Sequence, residues 1–457
     1  MNTTVYDMLI IGGGPGGYNA AEKAAKLGMQ VVLFEKEDLG GTCLNRGCMP
    51  TKALIHSTEL YESLAHAAAQ GVNVGEYSFD FAAMHAHKTQ VVEELRKGVE
   101  KLMKAGKITV VYGQAQIAGS GVVTCNGETY EVKDIIIATG SKVAYPPIPG
   151  IHDEGVYNSR DILEGEGKMF KSLIIIGGGV VGIECASIYN SLGCEVTVLE
   201  GADHILPVMD KEIATRLGMM MKKRGIKVEA KAMVQKIEGT PGNMSVTYQD
   251  KKGNEVVVTA EGVLAAAGRC ANIDGLFAEG VEIEMFKNAI VGDEVGRTSL
   301  PNVYVIGDAK AKNIQLAHVA EAQGANAVAV IAGKEPPIDM SIVPSCVYTT
   351  PEIAAVGMTE DQAKAAGITP KAVKFLTGAN GKCLIENTES GYVKLVTDAA
   401  DGRILGAQLV CPRATDMIGE LALAVQKGIT AEGLHAVIHP HPTFVEMISG
   451  AASLLEH

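Results

Sequence analysis

The sequence carries two copies of one glycine-rich turn, 165 residues apart, and these copies restrict the fold strongly. Each copy follows an apolar run, and each has an acidic residue 23 positions after its first glycine. The glycines permit a tight turn and close approach of a pyrophosphate, and the acid accepts hydrogen bonds from a ribose. The matched residues are Gly12, Gly14, Gly17 and Glu35, and then Gly177, Gly179, Gly182 and Glu200. Two copies in the same context predict two dinucleotide-binding sites.

Length and charge narrow the class of protein. A chain of 457 residues predicts about three domains, and 47% apolar residues can form large cores. The net charge is −13 without a Lys/Arg-rich run, so we expect no nucleic-acid partner. No apolar run reaches the roughly 18 residues of a membrane helix, and the N-terminus does not resemble a secretory leader. We therefore expect a cytoplasmic protein with no membrane partner.

The residues after Glu200 bear on the choice of nucleotide. A carboxylate at this position accepts hydrogen bonds from a ribose 2′-hydroxyl and would repel a 2′-phosphate. The next three residues, Gly201, Ala202 and Asp203, include no arginine that could bind such a phosphate. The second site is therefore predicted to bind NAD rather than NADP. Two sites also suggest two different dinucleotides, one held permanently and one exchanging.

Two of the nine cysteines, Cys43 and Cys48, lie close together in a glycine-rich segment. Their spacing fits neither a Cys-x-x-Cys redox motif nor a tetrahedral zinc site, so we expect no metal. A disulfide can join them if the intervening turn is irregular, and Gly47 gives that freedom. A helix that begins near Pro50 would lower the pKa of a neighbouring thiol. We expect a redox-active pair, and we expect the other cysteines to be small buried residues; the reactivity of Cys383, in a polar loop, is left open.

The segment 40–54 resembles the active-site signature of the family that includes dihydrolipoamide dehydrogenases and glutathione reductases. Further segments resemble this family at 138–141, 149–150, 267–269, 305–308, 316–318 and 344–352. The resemblance implies an α/β fold with two Rossmann-like dinucleotide-binding domains, for FAD and NAD, plus an α+β C-terminal dimerisation domain. The implied boundaries are 1–147 for the FAD-binding domain, 148–270 for the NAD-binding domain, 271–341 for a central domain completing the FAD site, and 342–457 for the dimer-interface domain.

The resemblance also assigns roles to single residues. Cys43 would be the interchange thiol that meets the substrate, and Cys48 the thiol that reduces the flavin. Lys52 would lie near flavin N5 and pair with Glu184; the matched position in the first copy is Asn19, so the glycine-turn unit alone does not require a glutamate there. Further cofactor contacts are implied for Gly41, Thr42, Ala138, Thr139, Gly140, Gly268, Gly307, Asp308, Leu316 and Ala317.

Near the C-terminus, His441 and Glu446 resemble the base dyad of the family, in which the histidine reaches the disulfide of the partner subunit. A histidine suits proton removal from a thiol at neutral pH, and a carboxylate on its other ring nitrogen fixes the tautomer. His439 matches a family histidine of supporting role. Pro440 and the residues at 444–445 depart from the family pattern, which affects how the substrate arm packs rather than the dyad.

Within the family, Glu200 and the histidine-rich ending favour the lipoamide-oxidising enzymes. The resemblance then implies a homodimer that oxidises protein-bound dihydrolipoamide to lipoamide through Cys43, Cys48 and FAD, with reduction of NAD⁺. Its partners would be lipoyl-bearing acyltransferase or H-protein subunits of 2-oxoacid dehydrogenase, acetoin or glycine-cleavage complexes. Two alternatives stay open: another NAD(P)H-dependent flavin disulfide reductase similar to glutathione reductase, and a mainly structural subunit that assembles a multienzyme complex.

Overall fold

The computed structural model describes residues 5–388 and 390–455, and its first sheet carries the first glycine turn. This part comprises β1 (Val5–Ile11), α1 (Pro15–Lys26), β2 (Val31–Glu35), α2 (Gly41–Arg46), α3 (Cys48–His66), α4 (Phe81–Ala105), β3 (Thr109–Tyr112), β4 (Gln116–Gly119), β5 (Val122–Cys125), β6 (Glu128–Ile137) and β7 (Ser141–Val143). The strand order is β3-β2-β1-β6-β5-β4. Strands β1, β2, β3 and β6 run parallel, with β1 central and buried on both faces.

The second copy of the turn lies in a second parallel sheet. This part comprises β8 (Val156–Asn158), α5 (Ser159–Leu163), β9 (Ser172–Ile176), α6 (Val180–Ser191), β10 (Glu195–Glu200), α7 (Lys211–Lys223), β11 (Lys227–Ala230), β12 (Met233–Thr240), β13 (Asn243–Gln249), β14 (Glu255–Ala260), β15 (Gly262–Ala265) and β16 (Arg269–Ala271). The order β11-β10-β9-β15-β8 places β9, which precedes the turn, at the centre of the sheet. Strands β12, β13 and β14 form a separate antiparallel sheet.

After the second sheet the chain returns to the first. The returning part comprises β17 (Met285–Phe286), β18 (Ala289–Ile290), β19 (Val303–Val305) and α8 (Ala317–Ile331). Strand β19 pairs in parallel with β6, and β16 pairs with β7 at the crossing between the two sheets. The segment predicted to complete the first site therefore adds a strand to the first sheet. The domain boundaries at 147, 270 and 341 themselves stay predictions.

The C-terminal part is an antiparallel sheet covered by helices. It comprises β20 (Ser345–Val347), β21 (Ile353–Gly357), α9 (Glu360–Ala365), β22 (Pro370–Leu376), α10 (Gly381–Ile385), β23 (Tyr392–Asp398), β24 (Ile404–Val410), α11 (Ala414–Gln426), α12 (Ala431–His435) and α13 (Glu446–Ser453). Its strand order is β20-β21-β24-β23-β22. Two parallel α/β units and one α+β unit confirm the predicted fold class. None of the helices within residues 5–388 and 390–455 is both long and apolar enough to cross a membrane.

Candidate active site

The first glycine turn joins β1 to α1, and two of its glycines have no room for a side chain. Gly12 has a φ of +107°, and a Cβ there would lie 2.3 Å from the carbonyl oxygen of Ala138. A Cβ on Gly17 would lie 1.8 Å from the carbonyl oxygen of Gly12, so both positions require glycine. Gly14 caps α1 without a side-chain hydrogen bond, which leaves N–H groups at the helix N-terminus available to a phosphate.

The second turn, between β9 and α6, repeats this geometry. Gly177 has a φ of +111°, and a Cβ there would lie 2.4 Å from the carbonyl oxygen of Ala266. A Cβ on Gly182 would lie 2.0 Å from the carbonyl oxygen of Gly177. Gly179 caps α6, again without a side-chain hydrogen bond. The structure thus confirms the strand–turn–helix arrangement at both copies.

The two acidic residues are each fixed by the backbone of their own turn. Glu35 accepts a hydrogen bond from the N–H of Gly13 at 2.7 Å, and Glu200 accepts one from the N–H of Gly178 at 2.6 Å. In each case a second N–H, two residues after the acid, bonds to the other carboxylate oxygen at 2.8 and 2.6 Å. Burial raises the pKa of Glu35 against the lowering effect of the Gly13 and Lys36 N–H groups. The carboxylates are therefore held at the turns, with lone pairs left to accept ribose hydroxyls.

The other residues assigned to cofactors lie around these turns. The structure places Gly41 and Thr42 in α2, Ala138, Thr139 and Gly140 between β6 and β7, Gly268 between β15 and β16, Gly307 and Asp308 in a 3₁₀ turn after β19, and Leu316 and Ala317 at the start of α8. A Cβ on Gly41 would lie 2.7 Å from the Cα of Gly14. The buried hydroxyl of Thr139 has no hydrogen-bond partner in the described part of the chain. A bound polar group fits this position, since buried hydroxyls are normally paired.

A hydrogen-bonded chain joins the two nucleotide-binding units beside these residues. Arg269 donates to the hydroxyl of Ser141 at 2.7 Å and to its carbonyl oxygen at 2.6 Å. The Ser141 hydroxyl in turn donates to Asp308 at 2.5 Å. Ser141 and Arg269 directly follow the predicted residues Gly140 and Gly268, yet no local pattern in the sequence indicates that they meet.

The cysteine pair spans the junction of two helices. Cys43 lies in the short helix α2, which ends at Arg46. Gly47 separates the two helices, and Cys48 is the first residue of α3. The predicted irregular turn is thus largely helical, with the irregularity confined to Gly47. Both cysteines are free thiols joined by a hydrogen bond, so a disulfide between them stays a prediction.

The two thiols differ strongly in acidity. The hydrogen bond from Cys43 and the charge of Lys52 lower the pKa of Cys48 to about 7, against the effect of burial. The same hydrogen bond, together with burial, raises the pKa of Cys43. The reduced pair therefore holds its negative charge on Cys48.

Lys52 lies one turn into α3 and forms an ion pair with Glu184 of α6. Its Nζ donates to both carboxylate oxygens, at 2.9 and 2.8 Å. Nζ also lies 4.5 Å from the ring centroid of Tyr348, whose backbone N–H donates to Glu184 at 3.0 Å. Burial lowers the pKa of Lys52, but the Glu184 carboxylate outweighs it and the net shift is upward. Lys52 is therefore a fixed cation beside Cys48.

His441 and Glu446 form a hydrogen-bonded pair at the C-terminal end. The Nδ1 of His441 lies 2.8 Å from Glu446, whose other oxygen accepts from the N–H of Thr443 at 2.7 Å. The Thr443 N–H and His441 lower the pKa of Glu446, in that order. The His441 side chain is 78% exposed, which suits a base that acts outside its own subunit. His439, by contrast, is buried and bonds to Glu420 at 3.0 Å.

The remaining cysteines follow the prediction in most cases. Cys125, Cys185, Cys194, Cys383 and Cys411 are buried, but the prediction was wrong for Cys270 and Cys346, which are only partly buried. Cys383, from the segment that looked like a polar loop, lies in α10 with its Sγ 3.8 Å from the sulfur of Met447. Burial raises its pKa, which disfavours the reactive thiolate form.

A separate cleft of about 700 Å³ lies between α7 and the strands β22 and β23. None of the motif residues lines it. Three of its charged side chains pair with one another: Glu212 contacts both Lys374 and Lys394. Because these charges are satisfied within the protein, we interpret the cleft as a polar boundary between domains rather than a catalytic site.

The arrangement of two nucleotide turns around a dithiol matches a known family. A model of the pyridine nucleotide-disulphide oxidoreductases matches residues 6–324. The chain belongs to this family. A model of the family's dimerisation domain matches residues 343–452, which supports the predicted homodimer. Membership also confirms the predicted cofactors, FAD and NAD.

Relatives within the family match over nearly the whole chain. A dihydrolipoyl dehydrogenase of Bacillus subtilis (strain 168) is 40% identical over 455 residues, covering 98% of this chain and 96% of its own. One from Geobacillus stearothermophilus is 40% identical over 453 residues, with the same coverage. Among solved structures, LpdA from Mycobacterium tuberculosis has a TM-score of 0.90 at 27% identity, covering 99% of this chain and all of its own. The HOCl-induced flavoprotein disulfide reductase RclA from Escherichia coli has a TM-score of 0.88 at 28% identity, with the same coverage.

Proposed function

We propose that this oxidoreductase is a dihydrolipoyl dehydrogenase, which oxidises dihydrolipoamide to lipoamide and reduces NAD⁺. The curated relatives above support this assignment at 40% identity over nearly full length. The observation that carries the mechanism is the placement of the dithiol: Cys48 begins α3, and Lys52, bound to Glu184, lies one turn later and lowers the pKa of Cys48. Neither the glutathione reductase-like alternative nor a purely structural role is favoured by these observations.

The first step is thiol–disulfide exchange at Cys43. His441 of the partner subunit would take the proton of a substrate thiol, and the resulting thiolate would attack the Cys43 sulfur of a Cys43–Cys48 disulfide. The bond between the cysteines breaks and Cys48 leaves as a thiolate. The low pKa of Cys48 favours this direction of attack, since a more acidic thiol leaves faster. The second substrate thiol then displaces Cys43, which gives lipoamide and the reduced pair.

The reduced pair holds two electrons next to the predicted flavin site. FAD would supply two-electron redox chemistry at this site: the loss of two electrons from the pair to the flavin would re-form the Cys43–Cys48 disulfide, and NAD⁺ would then receive them as a hydride. Lys52 and Glu184 would lie at the flavin, and the two turns would hold the pyrophosphates of FAD and NAD. Glu35 and Glu200 would accept hydrogen bonds from the adenosine riboses, and repulsion of a 2′-phosphate by Glu200 favours NAD over NADP.

The steady-state assay that tests this function uses two substrate pairs. We expect turnover with dihydrolipoamide and NAD⁺, and little with NADPH and glutathione disulfide. Cys48→Ser is expected to abolish the first activity, since no thiolate can leave or pass on electrons. Faster turnover of glutathione disulfide, or near-normal turnover by Cys48→Ser, would refute the assignment.

We further propose that the natural substrate is a lipoyl group carried by a protein, either an acyltransferase or an H-protein subunit of a 2-oxoacid dehydrogenase, acetoin or glycine-cleavage complex. The exposure of His441 supports this, because a base at the surface is accessible to a lipoyl arm. We also propose a cytoplasmic location, since the nine cysteines include no secreted-type disulfide framework. A higher kcat/KM for a dihydrolipoyl domain than for free dihydrolipoamide is the expected result.

A further inference from the structure

Tyr348, the residue after β20, contacts both members of the Lys52–Glu184 pair. The Nζ of Lys52 lies 4.5 Å from the centroid of its ring, and its backbone N–H donates to Glu184 at 3.0 Å. Tyr348 belongs to the C-terminal part of the chain, whereas its two partners lie on helices of the two nucleotide-binding units. One residue therefore joins three parts of the molecule at the cation beside Cys48.

We propose that Tyr348 is a positioning residue for Lys52, whose ring face and backbone N–H hold the ammonium on Glu184 and beside Cys48. This role of Tyr348 rests on the proposed function in one respect: Cys48 is the thiol that carries the negative charge. Tyr348 touches neither the sulfur nor the substrate in this account; it acts through Lys52.

The physical need for such a residue follows from the lysine side chain. Lysine carries a compact charge on a flexible stem of four carbons, and fixing that stem costs rotamer entropy. The Lys52 side chain is 27% exposed even with the Tyr348 ring in place, so its ammonium is only partly removed from water. An aromatic face attracts a cation most strongly where the cation is partly desolvated. The ring of Tyr348 supplies this attraction in addition to that of the Glu184 carboxylate.

Tyr348 is itself fixed at both ends. Its backbone N–H is bound to Glu184, and its side chain lies close to Thr415 at the start of α11. The N–H and hydroxyl of Thr415 donate to Glu352 at 2.9 and 2.7 Å. The ring is therefore held by the sheet and helix of the dimerisation domain, and it can fix a flexible lysine without moving with it.

The test measures the acidity of Cys48 in the FAD holoenzyme. All variants carry Cys43→Ser, which keeps a hydroxyl donor next to Cys48. The ultraviolet absorbance of the Cys48 thiolate is followed against pH, as the difference from a matched protein that also carries Cys48→Ser. Tyr348→Leu is expected to raise the pKa of Cys48 by roughly 0.5 to 1 unit, since the lysine is no longer held. Tyr348→Phe, which keeps the ring, is expected to leave the pKa within about 0.2 unit of the parent. An unchanged pKa in Tyr348→Leu would overturn the proposal.

Two controls separate positioning from a general structural effect. Phe286→Leu removes a similar contact on the β17–β18 hairpin, where Lys312 lies 4.6 Å from the ring centroid, and should not shift the pKa of Cys48. In a Lys52→Met background, adding Tyr348→Leu should have no further effect; an additional shift would show that Tyr348 does not act through Lys52. If Tyr348→Leu does not fold, Tyr348→Met tests the same prediction with an unbranched side chain.

The titration does not involve lipoamide. A shifted pKa in the Cys43→Ser variants, together with a wild-type enzyme that fails to oxidise dihydrolipoamide, would therefore refute the proposed substrate and leave the role of Tyr348 intact. A normal lipoamide activity of the wild-type enzyme with an unshifted pKa in Tyr348→Leu would refute the role of Tyr348 and leave the proposed substrate intact.

Discussion

At the scale of single residues, the chemistry of the dithiol depends on where one helix begins. Gly47 interrupts the helical segment between the two cysteines, so that Cys48 starts α3 and Lys52 follows one turn later. The pKa of Cys48 falls to about 7 while that of Cys43 rises. A pair with two similar thiols could be attacked at either sulfur. This asymmetry supports the proposed roles, in which Cys48 is the leaving group and Cys43 is the thiol that contacts the substrate.

Residues that work within one short segment could be predicted from the sequence, and those that meet across the fold could not. The cysteines, both glycine turns and the pairing of His441 with Glu446 depend on local spacing. The contact between Lys52 and Glu184, 132 residues apart, was expected only from the family resemblance. Tyr348 had no assigned role, because nothing in a local pattern indicates that a tyrosine after one strand covers a lysine from another domain.

The His441→Gln substitution tests the base. Glutamine keeps a polar side chain of similar size but cannot take a proton, so dihydrolipoamide oxidation should slow by roughly 100-fold or more. Stopped-flow measurement of the reduction of the enzyme by dihydrolipoamide isolates this step, and the affinity for NAD⁺ should not change. A variant that lost only NAD⁺ affinity would show that His441 is not the base.

At the scale of elements, the strands and helices that carry the turns agree closely with the sequence pattern. Strands β1 and β9 are buried apolar runs, and the helices α1 and α6 end just before Gly28 and Gly193. Both glycines adopt a positive φ, as helix C-termini often require. The helix α2 was not predicted, because its residues read as a glycine-rich turn. In this helix the buried Leu44 packs in the hydrophobic core that includes Ile10 and Leu33 of the first sheet.

Alanine substitutions in the turns should separate the two nucleotide sites. Gly12→Ala would place a Cβ 2.3 Å from a carbonyl oxygen, and Gly177→Ala one 2.4 Å from another. The first should reduce FAD affinity, and the second NAD⁺ affinity, each by about 10-fold or more, a cost of at least ~1.4 kcal/mol. Flavin content after dialysis and equilibrium NAD⁺ titration measure the two effects.

Gly28→Ala and Gly193→Ala are the matched controls for these substitutions. Both positions have a positive φ but open space around a Cβ, so strain is present without a collision. They should lower stability slightly and leave both affinities near the parent values. If the controls lost cofactor as readily as Gly12→Ala, backbone strain alone would explain the result and the steric account would be wrong.

His85 of α4, which contacts the segment after α5, should make the free energy of unfolding depend on pH. Burial and the neighbouring Lys88 lower the pKa of His85 from 6.5 to about 4. The His85 imidazole takes up a proton near pH 6.5 in the unfolded chain but only near pH 4 in the folded protein. The folded state therefore keeps its full stability above pH 6.5 and loses part of it as the pH falls toward 4. Between pH 7 and 5 the wild type should lose about 2 kcal/mol more than His85→Gln in urea unfolding.

The exposed His87 on the same helix provides the control for this measurement. His87→Gln should leave the pH dependence of unfolding as it is in the wild type. An identical pH dependence in His85→Gln and in the wild type would contradict the assigned shift.

At the scale of the whole molecule, the order of the sheets follows from the repeated turn, but their assembly does not. The sequence repeat predicts two parallel units, and the structure adds that β19 returns to the first sheet after the second is complete. That return depends on contacts between segments more than 160 residues apart, which local patterns do not specify. The proposed role of His441 is a further property of the assembled molecule, because this histidine would act on the disulfide of a second subunit.

A mixture of two defective homodimers tests this arrangement. A heterodimer of a Cys48→Ser subunit and a His441→Gln subunit has one site that combines intact cysteines with an intact histidine from the partner. Dissociation and reassociation of an equal mixture should therefore restore roughly a quarter of wild-type activity. Activity that stayed at the mean of the two parents would show that His441 serves its own subunit.

The central claim is that electrons from dihydrolipoamide enter through Cys43 and Cys48. The most direct measurement is differential alkylation with mass spectrometry, before and after anaerobic mixing with dihydrolipoamide in the absence of NAD⁺. We predict that two thiols per subunit become newly reactive, located at Cys43 and Cys48, while the other seven cysteines do not change. Oxidation of dihydrolipoamide with no new thiol at either position would contradict the account.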